Sequence, residues 1–193
     1  LIDSILCHRS TSSIIHKIMK KSTLIPHVFV NNIADHETHK KVLLDYINKE
    51  KNKFMNISNT DWEKNDDKNR EWVQYFKNNV LNQIVQTLND SMNSLDLIVQ
   101  NIWYQQYNSN DDHDWHTHPG SHYTNVYFVE LPDEDMKTEI LDMANIDVKE
   151  GDIISFPAFM FHRSKPNKSS QRKTVISFNT SFDRINIDKI KQT

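Results

Sequence analysis

The sequence predicts an α+β chain, and three observations carry that reading. Apolar residues recur at helical spacing through the first half, the period drops to two from Leu95, and the second half breaks into short alternating runs between polar turns. Helices followed by many short strands fit a β part that closes as a sandwich or small barrel, with the helices packed against it. At 193 residues the chain can bury one sizeable core, and nothing in it suggests a second domain.

Residues 1–18 fit poorly with the rest of the chain. Met19-Lys-Lys-Ser22 resembles a native start, so 1–18 are expected to be non-native or a loose extension, with 19–193 forming the single domain. His8, Arg9 and His16 interrupt any signal-peptide pattern. Thr23 to Asn32 reads as a strand, with Val28 and Val30 on one face. Asp35 is placed to cap a helix running to about Lys51, its stripe formed by Val42, Leu43, Tyr46 and Ile47. Asn52 to Asp67 is a polar loop that Phe54, Ile57 and Trp62 can pin to the body. One long helix is expected from about Asp67 to Ser94, burying Trp72, Phe76, Val80, Leu81, Ile84 and Leu88.

The β part, about 95–182, begins with Leu95–Tyr107 as one strand or a bent pair. Asn108 to Asp114 is an acidic turn, and Tyr123 to Leu131 alternates clearly. Short strands follow near 137–143, 146–148, 151–156, 159–165 and 173–182, and the tail from Asp183 is loose or a short helix.

Composition narrows the function. A net charge of −3 gives no basic surface for nucleic acid or anionic membrane, and no apolar run approaches the roughly 20 residues that span a bilayer. One cysteine, Cys7, excludes an internal disulfide framework and fits a reducing cytoplasm. With two glycines, neither a dinucleotide fingerprint nor a phosphate-binding P-loop can be written.

Histidine is the informative residue. His116-Thr-His118-Pro-Gly120 puts two imidazoles at i and i+2, on one face of an extended segment. Gly151-Asp152-x4-Pro157-x4-His162 brings a third on an apolar, strand-like run. A lone His-x-His is more often an exposed or hydrogen-bonded pair; the third histidine favours a metal site formed by His116, His118 and His162. Neutral imidazole suits iron, copper, nickel and zinc, and oxygen-activating iron commonly takes two histidines and a carboxylate.

These residues, followed by Arg172-Lys-Thr174 and Ser177-Phe-Asn179, resemble the 2-oxoglutarate- and Fe(II)-dependent oxygenase superfamily, in particular its group with a His-x-His-Pro first motif. The resemblance covers about Asn101 to Phe182. It implies a double-stranded β-helix (jelly roll) core buttressed by N-terminal helices, and Fe(II), 2-oxoglutarate and O2 as the reaction's cofactor and co-substrates. It implies a hydroxylase that couples decarboxylation of 2-oxoglutarate to C–H oxidation. The arginine ten residues past the distal histidine, Arg172, and Thr174 two further on are then expected to hold the distal carboxylate. Tyr107 is expected to face the co-substrate, and Asn125 and Tyr127 to hydrogen-bond it.

The chain departs from the superfamily at His118, where an aspartate or glutamate is usual. His118 ligates, or Asp112 or Asp114 supplies an oxygen, or the site has two histidines alone. Trp115 and His122 are substrate-side candidates, and His113 reads as a supporting or surface residue. The substrate, whether protein side chain, amino acid or small metabolite, is not legible, nor is the oligomeric state. A cupin-type three-histidine metal enzyme that does not use 2-oxoglutarate, and a non-catalytic ligand-binding domain, are the competing readings.

Overall fold

The structure is a computed structural model that describes residues 28–143, 146–184 and 186–191. The readings made for residues 1–27 lie outside the described residues. Among the described residues, nine strands form two antiparallel sheets: β1 (Phe29–Asn32), β2 (Asn59–Thr60), β3 (Leu97–Tyr107), β4 (His113–His116), β5 (Tyr123–Glu130), β6 (Thr138–Ile140), β7 (Asp152–Pro157), β8 (His162–Ser164) and β9 (Lys173–Phe182). The large sheet runs β1-β7-β5-β9-β3-β2 and the small one β4-β8-β6. Among the described residues, four helices accompany them: α1 (His36–Ile47), α2 (Glu71–Asn79), α3 (Val85–Ser91) and α4 (Ile187–Ile190). None is long and apolar enough to cross a membrane.

Alternation along the strands of the large sheet builds two cores. Ile102, Tyr104, Tyr127, Val129, Ile153, Ile176 and Phe178 point to the helices and meet Leu43, Ile47, Val73, Phe76 and Leu88. Their neighbours Tyr107, Val126, Phe128, Ile154, Phe156 and Val175 point the other way, toward the small sheet with Met136, Ile140 and Met160. Because side chains on a strand alternate, each central strand serves both layers at once. The α+β arrangement of helices against an antiparallel β part is therefore present.

Local departures have local causes. The expected helix over 67–94 is divided into α2, a 3-10 turn at Leu81–Gln83, and α3. Val80 (φ −107, ψ −62) and Ile84 (φ −114, ψ −4) break the regular backbone in a stretch rich in β-branched residues and asparagines, which gain little from helical conformation. The break costs little burial, since Val80, Leu81 and Ile84 all remain in the core. Asp35 makes no side-chain cap; at φ 53 it opens α1 through its carbonyl, which accepts from the N–H groups of Thr38 and His39. The loop over 52–67 contributes β2 to the sheet edge, and Phe54 and Ile57 exchange backbone hydrogen bonds in a narrow hairpin. No strand forms at 146–148.

Candidate metal centre

The small sheet positions the histidines. His116 ends β4 and His162 begins β8, and the two are direct partners across the antiparallel pair. His118 lies just beyond β4, where its N–H donates to the Ala158 carbonyl at 2.9 Å and ties it to the β7–β8 loop. Gly120, at φ 86, supplies the left-handed backbone that lets the segment turn back toward β5. The result is a cluster in which ligand nitrogens of His116, His118 and His162 all lie within 4.8 Å of one another.

Two of these rings are held in the tautomer a metal needs. His116 Nδ1–H donates to the Asp114 carbonyl at 2.7 Å, and His162 Nδ1–H to the Met160 carbonyl at 3.0 Å. A carbonyl only accepts, so each ring carries its proton on Nδ1 and presents a free Nε2 lone pair. His118 Nε2 stands 3.2 Å from His162 Nε2. Burial keeps the cluster uncharged: it lowers His118 and His162 to about 3, with charge on His116 the next cause, and lowers His116 as well. Two free Nε2 lone pairs with a third neutral imidazole beside them make up the donor set of an imidazole metal site.

His113 belongs to this neighbourhood. Its ring stacks on His116 with centroids 4.0 Å apart, and its Nδ1 accepts from the Gln105 amide at 3.2 Å. The carboxylates weighed as alternative ligands are engaged elsewhere. Asp112 accepts from the Asn56 amide, and Asp114 Oδ1 from the N–H of Trp115.

The cavity behind the histidines is lined by Trp103, Gln105, Tyr107, Val126, Val175 and Lys173, among others. Tyr107 lines this cavity, with its phenol bonded to Ser164. The cation is Lys173. Its Nζ, on a residue only 2% exposed, donates to Ser164 Oγ at 2.9 Å and lies 5.2 Å from the centre of the Tyr107 ring. Burial pushes this ammonium down to about 7.

Arg172 and Thr174 flank Lys173 and therefore point away from the cavity. Arg172 donates to both Glu130 oxygens, from Nε at 2.8 Å and Nη2 at 3.0 Å, and to Asn48; the Thr174 hydroxyl also donates to Glu130. Their expected place at the co-substrate is corrected. The same slip of one residue corrects Asn125 and Tyr127. Asn125 donates to the Phe178 carbonyl and Thr180 Oγ1, while the Tyr127 phenol meets His36 Nδ1 at 2.6 Å within the helix-side core. His122 is also away from the cluster, with its Nδ1 accepting from the N–H of Phe182 and its ring on that phenyl. Trp115 carries the Arg163 guanidinium 4.5 Å over its ring, and does not line the cavity over the histidines.

A second cavity, of about 270 Å³, opens on the other flank of the cluster. Phe54, Met55, Ile57 and Trp62 wall it, with His113, His116, Thr117 and His118 below. Among the described residues, no Asp, Glu, Lys or Arg lines it.

No protein-family model matches the chain, and no curated protein matches it by sequence. Solved structures match it by shape. The viral collagen prolyl hydroxylase of Paramecium Bursaria Chlorella virus-1, in its 2OG complex, aligns over 81% of this chain and 96% of its own, at 14% identity and a TM-score of 0.61. A Pseudomonas putida prolyl-4-hydroxylase aligns over 81% and 93%, at 12% identity and TM-score 0.56. A Trichoplax adhaerens prolyl hydroxylase, in complex with a hypoxia inducible factor peptide fragment, aligns over 86% of both chains, at 11% and 0.55. With its histidine cluster between the sheets, the chain has the fold of these prolyl hydroxylases.

Proposed function

We propose that the protein is a 2-oxoglutarate- and Fe(II)-dependent oxygenase of hydroxylase type, its two sheets forming a double-stranded β-helix. One observation carries the reading: three converging imidazoles share a cavity with a buried ammonium that has no carboxylate partner among the described residues. A buried charge is costly until an opposite charge meets it, so Lys173 is a built receptor for an anion.

In this reading His116, His118 and His162 hold the iron. Held there, iron would supply the oxygen chemistry that couples decarboxylation of 2-oxoglutarate to succinate and carbon dioxide with hydroxylation of a C–H bond. Lys173 pairs with the distal carboxylate, the role first expected of Arg172, and the Ser164 hydroxyl and the Tyr107 ring orient its ammonium. The free space among these side chains is about 20 Å³, room for one water. Binding a five-carbon acid therefore requires the long side chains of Lys173 and Arg163 to retract, a rotamer change common at binding sites.

The uncharged cavity over the histidines supports a reading of the group to be oxidised. It favours an apolar side chain or ring and excludes an ionised one, which would lose its hydration with no partner. A prolyl ring within a polypeptide meets that description, in keeping with the prolyl hydroxylases of the same fold.

The test is an anaerobic titration of the EDTA-treated protein with Fe(II) and then 2-oxoglutarate, following the visible charge-transfer band of the chelate. The band is expected in the wild type and lost in Lys173→Met. Iron binding without a band would instead support a three-histidine enzyme of cupin type.

A further inference from the structure

His116 and His162 have backbone carbonyls to hold their protons on Nδ1; the group facing Nδ1 of His118 is the side chain of Asn179. Asn179 is 4% exposed on β9, and Thr124 of β5 is its direct partner across the sheet. Its Nδ2 lies 3.4 Å from His118 Nδ1, and its Oδ1 accepts from the Thr124 hydroxyl at 3.2 Å. An amide N–H only donates, so this arrangement makes His118 Nδ1 an acceptor and puts the ring's proton on Nε2. That proton fits the 3.2 Å approach to His162 Nε2, whose own proton is committed to Met160.

Coordination through His118 Nε2 requires the other tautomer, with the proton on Nδ1 and an acceptor facing it. Turning the Asn179 amide through 180° supplies that acceptor, exchanging Oδ1 for Nδ2. The Thr124 hydroxyl donates or accepts equally well, so it serves either orientation.

We propose that Asn179, backed by Thr124, is the positioning residue that sets the tautomer of His118 and so admits it as the third metal ligand. With Nδ2 toward the ring, His118 hydrogen-bonds to His162. With Oδ1 toward the ring, His118 offers Nε2 to the metal. This rests on the reading of His118 as a ligand. It accounts for how a histidine at a carboxylate's position is held ready without a backbone carbonyl.

Imidazole ¹⁵N NMR reads the tautomer directly, and Co(II) titration reads affinity; neither uses 2-oxoglutarate or turnover. Wild-type His118 is expected as the Nε2–H form after EDTA treatment and the Nδ1–H form with Zn(II). Asn179→Asp keeps the shape but only accepts, so it should fix Nδ1–H in both conditions and bind Co(II) at least as tightly. Asn179→Leu should weaken Co(II) binding about 10- to 100-fold. In a His118→Ala background the leucine substitution should add nothing. An Asn179→Asp protein that keeps the Nε2–H form would overturn the proposal, and carries the test should Asn179→Leu not fold. So would a leucine effect undiminished without His118. Unchanged Co(II) affinity in His118→Ala alone would overturn the ligand reading, and the proposal with it.

Discussion

Lys173 Nζ reaches Ser164 Oγ across the space between the two sheets, 2.9 Å away, and burial is the one cause of its lowered ionisation. A charge in that position detracts from stability unless a ligand completes it. Lys173→Met should therefore leave the melting temperature unchanged or raise it. It should weaken 2-oxoglutarate binding at least about 30-fold, the equivalent of about 2 kcal/mol. Thermal melts and anaerobic ligand titrations read the two effects separately. A destabilised protein with undiminished affinity would assign Lys173 to structure alone.

Arg172→Ala should behave in the opposite way. The guanidinium makes a two-pronged pair with Glu130, where β5 ends and β9 begins, and is partly open to solvent, so its loss should cost about 1 kcal/mol, or about 2–4 °C in melting temperature. Affinity for 2-oxoglutarate should stay as in the wild type. A large loss of affinity would return Arg172 to the site.

The difference between these residues shows what the sequence reveals and what it withholds. The histidines were legible because His116-x-His118 and Gly151-Asp-x4-Pro-x4-His162 carry chemistry in their spacing. The strand over 173–182 was legible as well. Which of its faces meets the cavity was not taken from its own pattern, and a shift of one residue exchanges the faces. A signal was present: Ile176 and Phe178 form the bulky apolar face that helices cover, while Val175, Ser177 and Asn179 are smaller or polar, as a cavity requires. Choosing by side-chain size would have placed Lys173 inward and Arg172 and Thr174 outward. The stacking of His113 on His116, three residues apart on β4, accompanies an irregularity of the strand between them, which nothing in the local sequence specifies.

His116→Ala and His162→Ala should each abolish Fe(II) binding, because both rings present Nε2 from tautomers fixed by backbone carbonyls. His118→Asp is the more informative change. It restores the commoner carboxylate and should retain Fe(II), as measured by anaerobic equilibrium dialysis. Retention of iron by either alanine variant would contradict the assignment of that residue.

Stability should fall in acid. Burial, followed by charge on His116, lowers His113 to about 4 and His118 and His162 to about 3, whereas each accepts a proton near pH 6.5 in an unfolded chain. The unfolded state then binds more protons than the folded one below that pH. This contribution is fully present above about pH 6.5 and is lost as pH falls toward the folded values. At pH 5 each of the three should remove about 2 kcal/mol, seen as a lower urea midpoint of EDTA-treated protein than at pH 7.5. Equal midpoints would mean that these rings take up protons without unfolding.

Co-substrate affinity should fall on the alkaline side, for a reason specific to Lys173. Its ammonium titrates near 7 in the protein, yet only the charged form holds a carboxylate. Binding at pH 8 must therefore take up a proton, and the dissociation constant should rise about tenfold for each pH unit above that value. Calorimetry of the Fe(II) protein under argon, in two buffers of different ionisation enthalpy, measures the proton directly. Lys173→Arg provides the control, since a guanidinium stays charged throughout this range and should make both the proton uptake and the pH dependence disappear. Proton uptake that persisted in the arginine variant would place the titrating group elsewhere in the cavity.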